Sequence, residues 1–123
     1  MLFENPIQFE LNKNLENDEV QYSNIIEIAQ GGPEIGLLSV NGKILEGYLF
    51  GGPCIFNNDY IFAPLYIKSF FSSGFKLAQI EIKSRQVTKL GKCKDLIYLD
   101  KVKNNKVYFF EDLDKTILSY HEL

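Results

Sequence analysis

The chain has no tryptophan, one methionine, one histidine, one arginine and two cysteines among its 123 residues. A single histidine, His121, excludes a His-rich metal centre and leaves any imidazole acid–base chemistry to one residue. Its place near the end of the sequence favours a surface role. Cys54 and Cys93 form no CxxC pair, which favours two reduced thiols in a cytoplasmic protein, with a disulfide as the alternative and the lone histidine arguing against metal. No run of about 18 apolar residues exists, so no transmembrane helix is expected. The opening Met1-Leu2-Phe3-Glu4-Asn5-Pro6 lacks a basic region followed by an apolar one, so no signal peptide is expected. There is no GxxxxGK[ST] phosphate loop and no DxDxDG calcium loop. The Gly-Gly-Pro triplets at 31–33 and 51–53 are therefore chain breakers. No cofactor is expected.

What the chain has in quantity is ten phenylalanines and seven tyrosines. With many isoleucines, these favour sheet over helix. The length predicts one domain, residues 1–123, around one core. The clearest strand is Tyr60–Ile67. Alternation puts Ile61, Ala63, Leu65 and Ile67 on one face and Tyr60, Phe62 and Tyr66 on the other. Both faces are apolar, which predicts a strand covered on both sides. Pro64 cannot donate to a ladder, so a bulge or strand end is expected there. Phe75–Ile82 follows, with Ala78, Ile80 and Ile82 opposite Leu77, Gln79 and Glu81. Gln86–Leu90 is short and charged, as suits a sheet edge.

The same plan recurs on either side. Upstream, Ile25–Ala29, Ile35–Val40 and Lys43–Phe50 are predicted strands. Asn41-Gly42 is a hairpin signal, since both residues tolerate the positive φ of a type I′ turn. Pro53–Phe56 is a possible short strand ending at Asn57-Asn58. Downstream come Leu96–Val102, the turn Asn104-Asn105, Val107–Glu111, the turn Asp114-Lys115 and Thr116–His121. Nearer the start, Ile7–Leu11 alternates like a strand, and Asn12–Asp18 is expected to be a loop with room for a short helix over Leu15–Val20. The second and third units open alike, with Asp59-Tyr60-Ile61-Phe62 and Asp95-Leu96-Ile97-Tyr98. Each unit carries an apolar residue before its second turn, at Val40, Ile82 and Leu113, spaced by 42 and then 31 residues. The first spacing matches propeller blades. Three units are too few to close a ring. The expected fold is all-β: consecutive antiparallel β-meanders in three blade-like units, an open or partial propeller. A two-sheet sandwich or a barrel is the alternative.

Charge is uneven along the chain. Residues 1–34 carry seven acids against Lys13, and residues 68–106 carry ten bases against Glu81, Asp95 and Asp100. Nucleic-acid binding by the basic stretch (Lys83, Arg85, Lys89, Lys92, Lys94, Lys101, Lys103, Lys106) is disfavoured by the net charge of −3 and the lone arginine. Glu111, Asp112 and Asp114 could serve acid–base or cation chemistry. Asp112-Leu113-Asp114-Lys115 is equally an ordinary turn composition. Phe70 and Phe71 stand together between serines; one could be an interface anchor, and the alternative is that the loop folds back over the core. No catalytic constellation emerges, and a non-enzymatic binding role is expected.

In size, acidity, Asn/Lys/Ile-rich composition and missing chemistry the chain resembles the immunity proteins of bacterial contact-dependent growth inhibition and related toxin systems. The resemblance implies a cytoplasmic, non-catalytic protein that binds a cognate toxin domain, often a basic nuclease, as a monomer or 1:1 complex and covers its active site. It implies no membrane or direct nucleic-acid partner. Under it, acidic phosphate mimics and aromatic anchors would carry the contact: Glu16, Asp18, Glu19, Phe70, Phe71, Glu111, Asp112 and Asp114. Two other classes fit the same residues. One is a small-ligand-binding domain lined by Tyr60, Phe62 and Tyr66. The other is a structural module of a larger assembly.

Overall fold

The computed structural model describes residues 3–68 and 73–123. Its secondary structure is eleven strands: β1 (Asn12–Leu15), β2 (Asp18–Glu27), β3 (Glu34–Val40), β4 (Lys43–Ile44), β5 (Ile55–Asn57), β6 (Tyr60–Lys68), β7 (Ser73–Glu81), β8 (Val87–Lys94), β9 (Tyr98–Lys103), β10 (Lys106–Phe110) and β11 (Leu118–Glu122). No helix occurs among the described residues. The strands form three open antiparallel sheets, β1-β2-β3-β4, β5-β6-β7-β8 and β9-β10-β11, each in sequence order.

The turns follow local chemistry. Asn41 and Gly42 have φ of 51° and 83°, and Asn104 and Asn105 have 53° and 62°. These are the positive values a two-residue hairpin needs. Asn58, Arg85 and Lys115 supply positive φ at three further turns.

The central sheet is the shared layer. On one face, Ile61, Ala63, Leu65, Ala78 and Ile80 pack with Val20, Tyr22, Leu38 and Val40 of the first sheet. On the other, Phe62, Phe75 and Leu77 pack with Leu99, Val107 and Phe109 of the third. The double-sided burial that the alternation of β6 predicts is present. There are two cores rather than the expected one, because a sheet in the middle must be covered twice. The first and second sheets are also stitched together. Gly36 and Phe50 exchange both backbone hydrogen bonds at 2.9 Å, Gly51 N donates to Pro64 O at 2.8 Å, and Tyr66 N to Leu49 O at 2.8 Å.

Several expected elements differ. Pro64 lies in the middle of β6, and the β6–β7 register runs through it without a shift. Its carbonyl points to Gly51, so its nitrogen faces that side too, and the ladder to β7 loses no donor. Residues 7–11 are not a strand. The Asn5 side chain accepts from Ile7 N and Gln8 N at 2.8 and 2.9 Å, and the Glu4 carboxylate accepts from Glu10 N at 2.8 Å, which bends the chain into a strap. Residues 12–18 hold β1 and a tight turn, not a loop or helix, because a solvent-facing edge strand can be polar. β2 begins seven residues before the predicted Ile25, and its register to β3 is disrupted between Ser23 and Ile26, next to Asn24 with φ 52°. Only Lys43–Ile44 of the predicted 43–50 strand is regular, and β8 extends to Lys94 rather than ending at Leu90. The Gly51–Cys54 breaker is buried, not a surface loop. A Cβ on Gly52 would stand 2.5 Å from the Phe9 ring, so only glycine fits beneath the strap.

Candidate functional site

The register of β10 with β11 decides which side chains of the third sheet face outward. Val107 pairs with His121 and Phe109 with Ser119, and the two apolar members belong to the inner core. Lys106, Tyr108 and Phe110 therefore point outward with Glu122, Tyr120 and Leu118. On β9, Lys101 lies opposite Tyr108 and Tyr98 opposite Phe110.

This outer face is aromatic and uncovered over much of its width. The Tyr108 and Tyr120 rings are 5.9 Å apart. Lys106 Nζ lies 4.7 Å from the Tyr120 ring and Lys101 Nζ 5.7 Å from that of Tyr108, distances at which a cation is attracted by a ring face. At the other end Lys115 bends back over Tyr98 at 5.0 Å, Phe3 at 5.6 Å and Phe110 at 5.9 Å. Phe3, Ile117, Leu118 and Tyr120 are 63, 53, 57 and 55% exposed. Leu118 and Tyr120 are thus large side chains of this face left in water.

The acidic residues take two separate positions. Glu16 holds the β1–β2 turn at φ 53°, and Asp18 and Glu19 start β2. Asn41 ties both to the next turn, its amide donating to Asp18 Oδ1 at 3.1 Å and its carbonyl oxygen accepting from Glu19 N at 2.7 Å. Glu111, Asp112 and Asp114 lie at the β10–β11 turn. The first group belongs to the first sheet and the second to the third, on opposite faces of the central sheet. They do not form one acidic site.

Asp112 is committed to its own turn. Its carboxylate accepts from Thr116 N at 2.9 Å and Ile117 N at 2.9 Å, and from the Thr116 hydroxyl. The Thr116 hydroxyl, and then the two amides, hold the Asp112 carboxyl below the usual aspartate range. Glu111 accepts from the Ser119 hydroxyl and lies 3.5 Å from Lys94 Nζ. Ser119 thus gives its hydroxyl to a carboxylate, not to His121. Asp114 is exposed beside them. Phe70 and Phe71 lie outside the described residues.

Tyr60, Phe62 and Tyr66 are taken up by packing. Phe62 is fully buried, and the two tyrosines are half-buried against the same core cluster. Tyr108, Leu118 and Tyr120 were not among the residues the sequence singled out, although their i, i+2 spacing marks an apolar outward face. Cys54 is buried and Cys93 exposed, both free. Compared with known proteins, the chain matches no protein-family model, no curated protein and no solved structure.

Proposed function

We propose that this chain is a non-catalytic protein-binding module, an open stack of three blade-like meanders that neutralises a toxin domain as immunity proteins do. The observation that supports it is the outer face of the third sheet. Tyrosine, leucine and phenylalanine side chains stand there beside unpaired backbone at the edge of β11. Rigid aromatic anchors in an uncovered patch are what protein interfaces use for most of their affinity. The charges around the patch add orientation. Lys101, Lys103 and Lys106 lie at one end of the hairpin, and Glu111, Asp112 and Asp114 at the other. A basic partner would approach from the acidic end, and a reversed pose would set like charges together.

The test is co-expression with the C-terminal domain encoded by the reading frame immediately upstream. That domain should stop growth alone, and the wild-type chain should restore it. The double variant Leu118→Glu, Tyr120→Ala should unfold at an unchanged temperature yet fail to restore growth. Surface changes of this kind normally alter stability by about 0.5 kcal/mol or less. A harmless upstream domain, or full rescue by the double variant, would refute the assignment.

A further inference from the structure

A second feature lies on the inner side of the third sheet. β8 is one edge of the second sheet and β11 one edge of the third. Between them opens a cleft of about 530 Å³. Leu77, Leu90, Ile97 and Phe109 line its floor, Lys92, Lys94, Ser119 and His121 supply polar groups, and Leu118 and Tyr120 of the β11 edge form part of its mouth. Its size falls in the range of small-molecule sites, roughly 300–1,000 Å³.

Three details show how the chain shapes this cleft. The register of β7 with β8 shifts between Phe75 and Leu77, so residues 91–93 bulge from the strand. Bulges re-aim side chains and recur beside functional sites. Gly91, in that bulge, has φ 72°, and a Cβ there would lie 3.2 Å from His121 Nδ1. The imidazole stands over the glycine where a larger residue would crowd it. Finally, Ser119 and His121 occupy inward-facing positions paired with the core residues Phe109 and Val107. Polar side chains at inward positions face the cleft instead of a packed interior.

Charge decides the class of ligand. Glu111 is already engaged by the Ser119 hydroxyl and by Lys94. Among the described residues Lys92 has no ion-pair partner. The cleft therefore offers an apolar floor and one uncompensated cation beside an imidazole. We infer that it binds a small monocarboxylate with an apolar body, the carboxylate at Lys92 and His121 and the body over Leu77, Leu90 and Phe109.

Octanoate is a suitable probe, with octanamide as its uncharged counterpart. About ten non-hydrogen atoms at ordinary ligand efficiency give a Kd on the order of 1 mM. Titration followed by NMR should shift the Gly91, Ser119 and His121 resonances saturably, and octanamide should bind about tenfold more weakly. Lys92→Glu should weaken octanoate about tenfold. Lys89→Glu makes the same change of net charge on the opposite face of β8 and should alter binding by less than about twofold. No saturation up to about 10 mM, shifts confined to other residues, or equal losses from the two lysine variants would overturn the assignment. Because the probe is a free small molecule and its test variants are at Lys92 and Lys89, the outcome does not depend on any protein partner.

Discussion

Tyr22→Phe isolates one buried interaction in the middle of the stitch between the first two sheets. The Tyr22 hydroxyl donates to Gly51 O at 2.7 Å, fully enclosed, and its ring meets Phe9 edge-on at 4.8 Å. Gly51 itself donates to Pro64 O in the central sheet. Phenylalanine keeps the ring and the packing but leaves a buried carbonyl without its donor. Losing one partner of a buried pair costs about 1–3 kcal/mol. With a urea dependence of about 2 kcal/mol per molar, the unfolding midpoint at neutral pH should fall by about 1 M, read by far-UV circular dichroism.

The same variant makes a second, sharper prediction with pH. Burial, and next the neighbouring Cys54, push the Tyr22 phenol well above its ordinary value. Burial likewise raises the Cys54 thiol, with Lys13 opposing it. Both groups keep their protons in the fold after the unfolded chain has released them. The unfolded state then binds fewer protons, so stability declines as pH rises above about 8.5 for Cys54 and about 10 for Tyr22. Tyr22→Phe retains the Cys54 contribution and loses the other. The stability gap between wild type and variant should hold steady up to about pH 9 and narrow above about pH 10. A gap near zero at neutral pH would show that the hydrogen bond carries no weight. A gap that widens in alkali would show that Tyr22 ionises inside the fold.

Two other outcomes are expected. Asp112 has a depressed pKa, so its contribution to stability is present at neutral pH and is lost as pH falls through the folded value, below the ordinary ~3.9. Asp112→Asn cannot titrate, so the difference in Tm between wild type and this variant at about pH 7 should shrink by about pH 2; an unchanged difference would refute the turn's role. A thiol reagent should modify Cys93 promptly and Cys54 at least about a thousandfold more slowly, because Cys54 must wait for the core to open. Equal rates would show that the strap over Cys54 does not hold.

The alternation of β6 was the most legible feature of the chain. A period of two with apolar residues in both registers has one physical meaning, a strand with a layer on each side. Asn41-Gly42 and Asn104-Asn105 were legible for a similar reason, because few residues accept positive φ cheaply. The first thirty residues were the least legible. There the decisive contacts are side chain to backbone: Asn5 capping two amides, and Glu4 taking Glu10 N and Lys13 Nζ, the latter at 2.6 Å. Such contacts override a short alternating pattern, and periodicity contains no trace of them. The acids show the same limit. Glu111, Asp112 and Asp114 are adjacent in sequence, but Asp112 serves the turn, Glu111 holds Ser119 and Lys94, and Asp114 is exposed. Only the fold assigns these roles.

The two ends of the stack are unequal, and the inequality bears on how it would be used. The outward side of the first sheet carries Glu19, Gln21, Ser23 and Ser39, with half-buried Leu37 and exposed Ile44 as its apolar members. The outward side of the third sheet carries Tyr98, Tyr108, Phe110, Leu118 and Tyr120, with Lys101, Lys106 and Glu122 toward one end. It repeats the apolar character of the faces that the other sheets bury. Each internal face of this stack is stabilised by another sheet laid against it, at about 25 cal/mol for every Å² of apolar surface removed from water. The outer face of the third sheet has the side chains for a further layer around Tyr108, Leu118 and Tyr120, while Phe3, Lys115 and the backbone of Glu4 reach over its Tyr98 end. A partner that lays a sheet or a loop across Tyr108 and Tyr120 would extend the packing plan of the molecule by one layer. Affinity would then depend on those two rings more than on the acidic turn. Tyr120→Ala should therefore weaken the complex more than Asp114→Asn does.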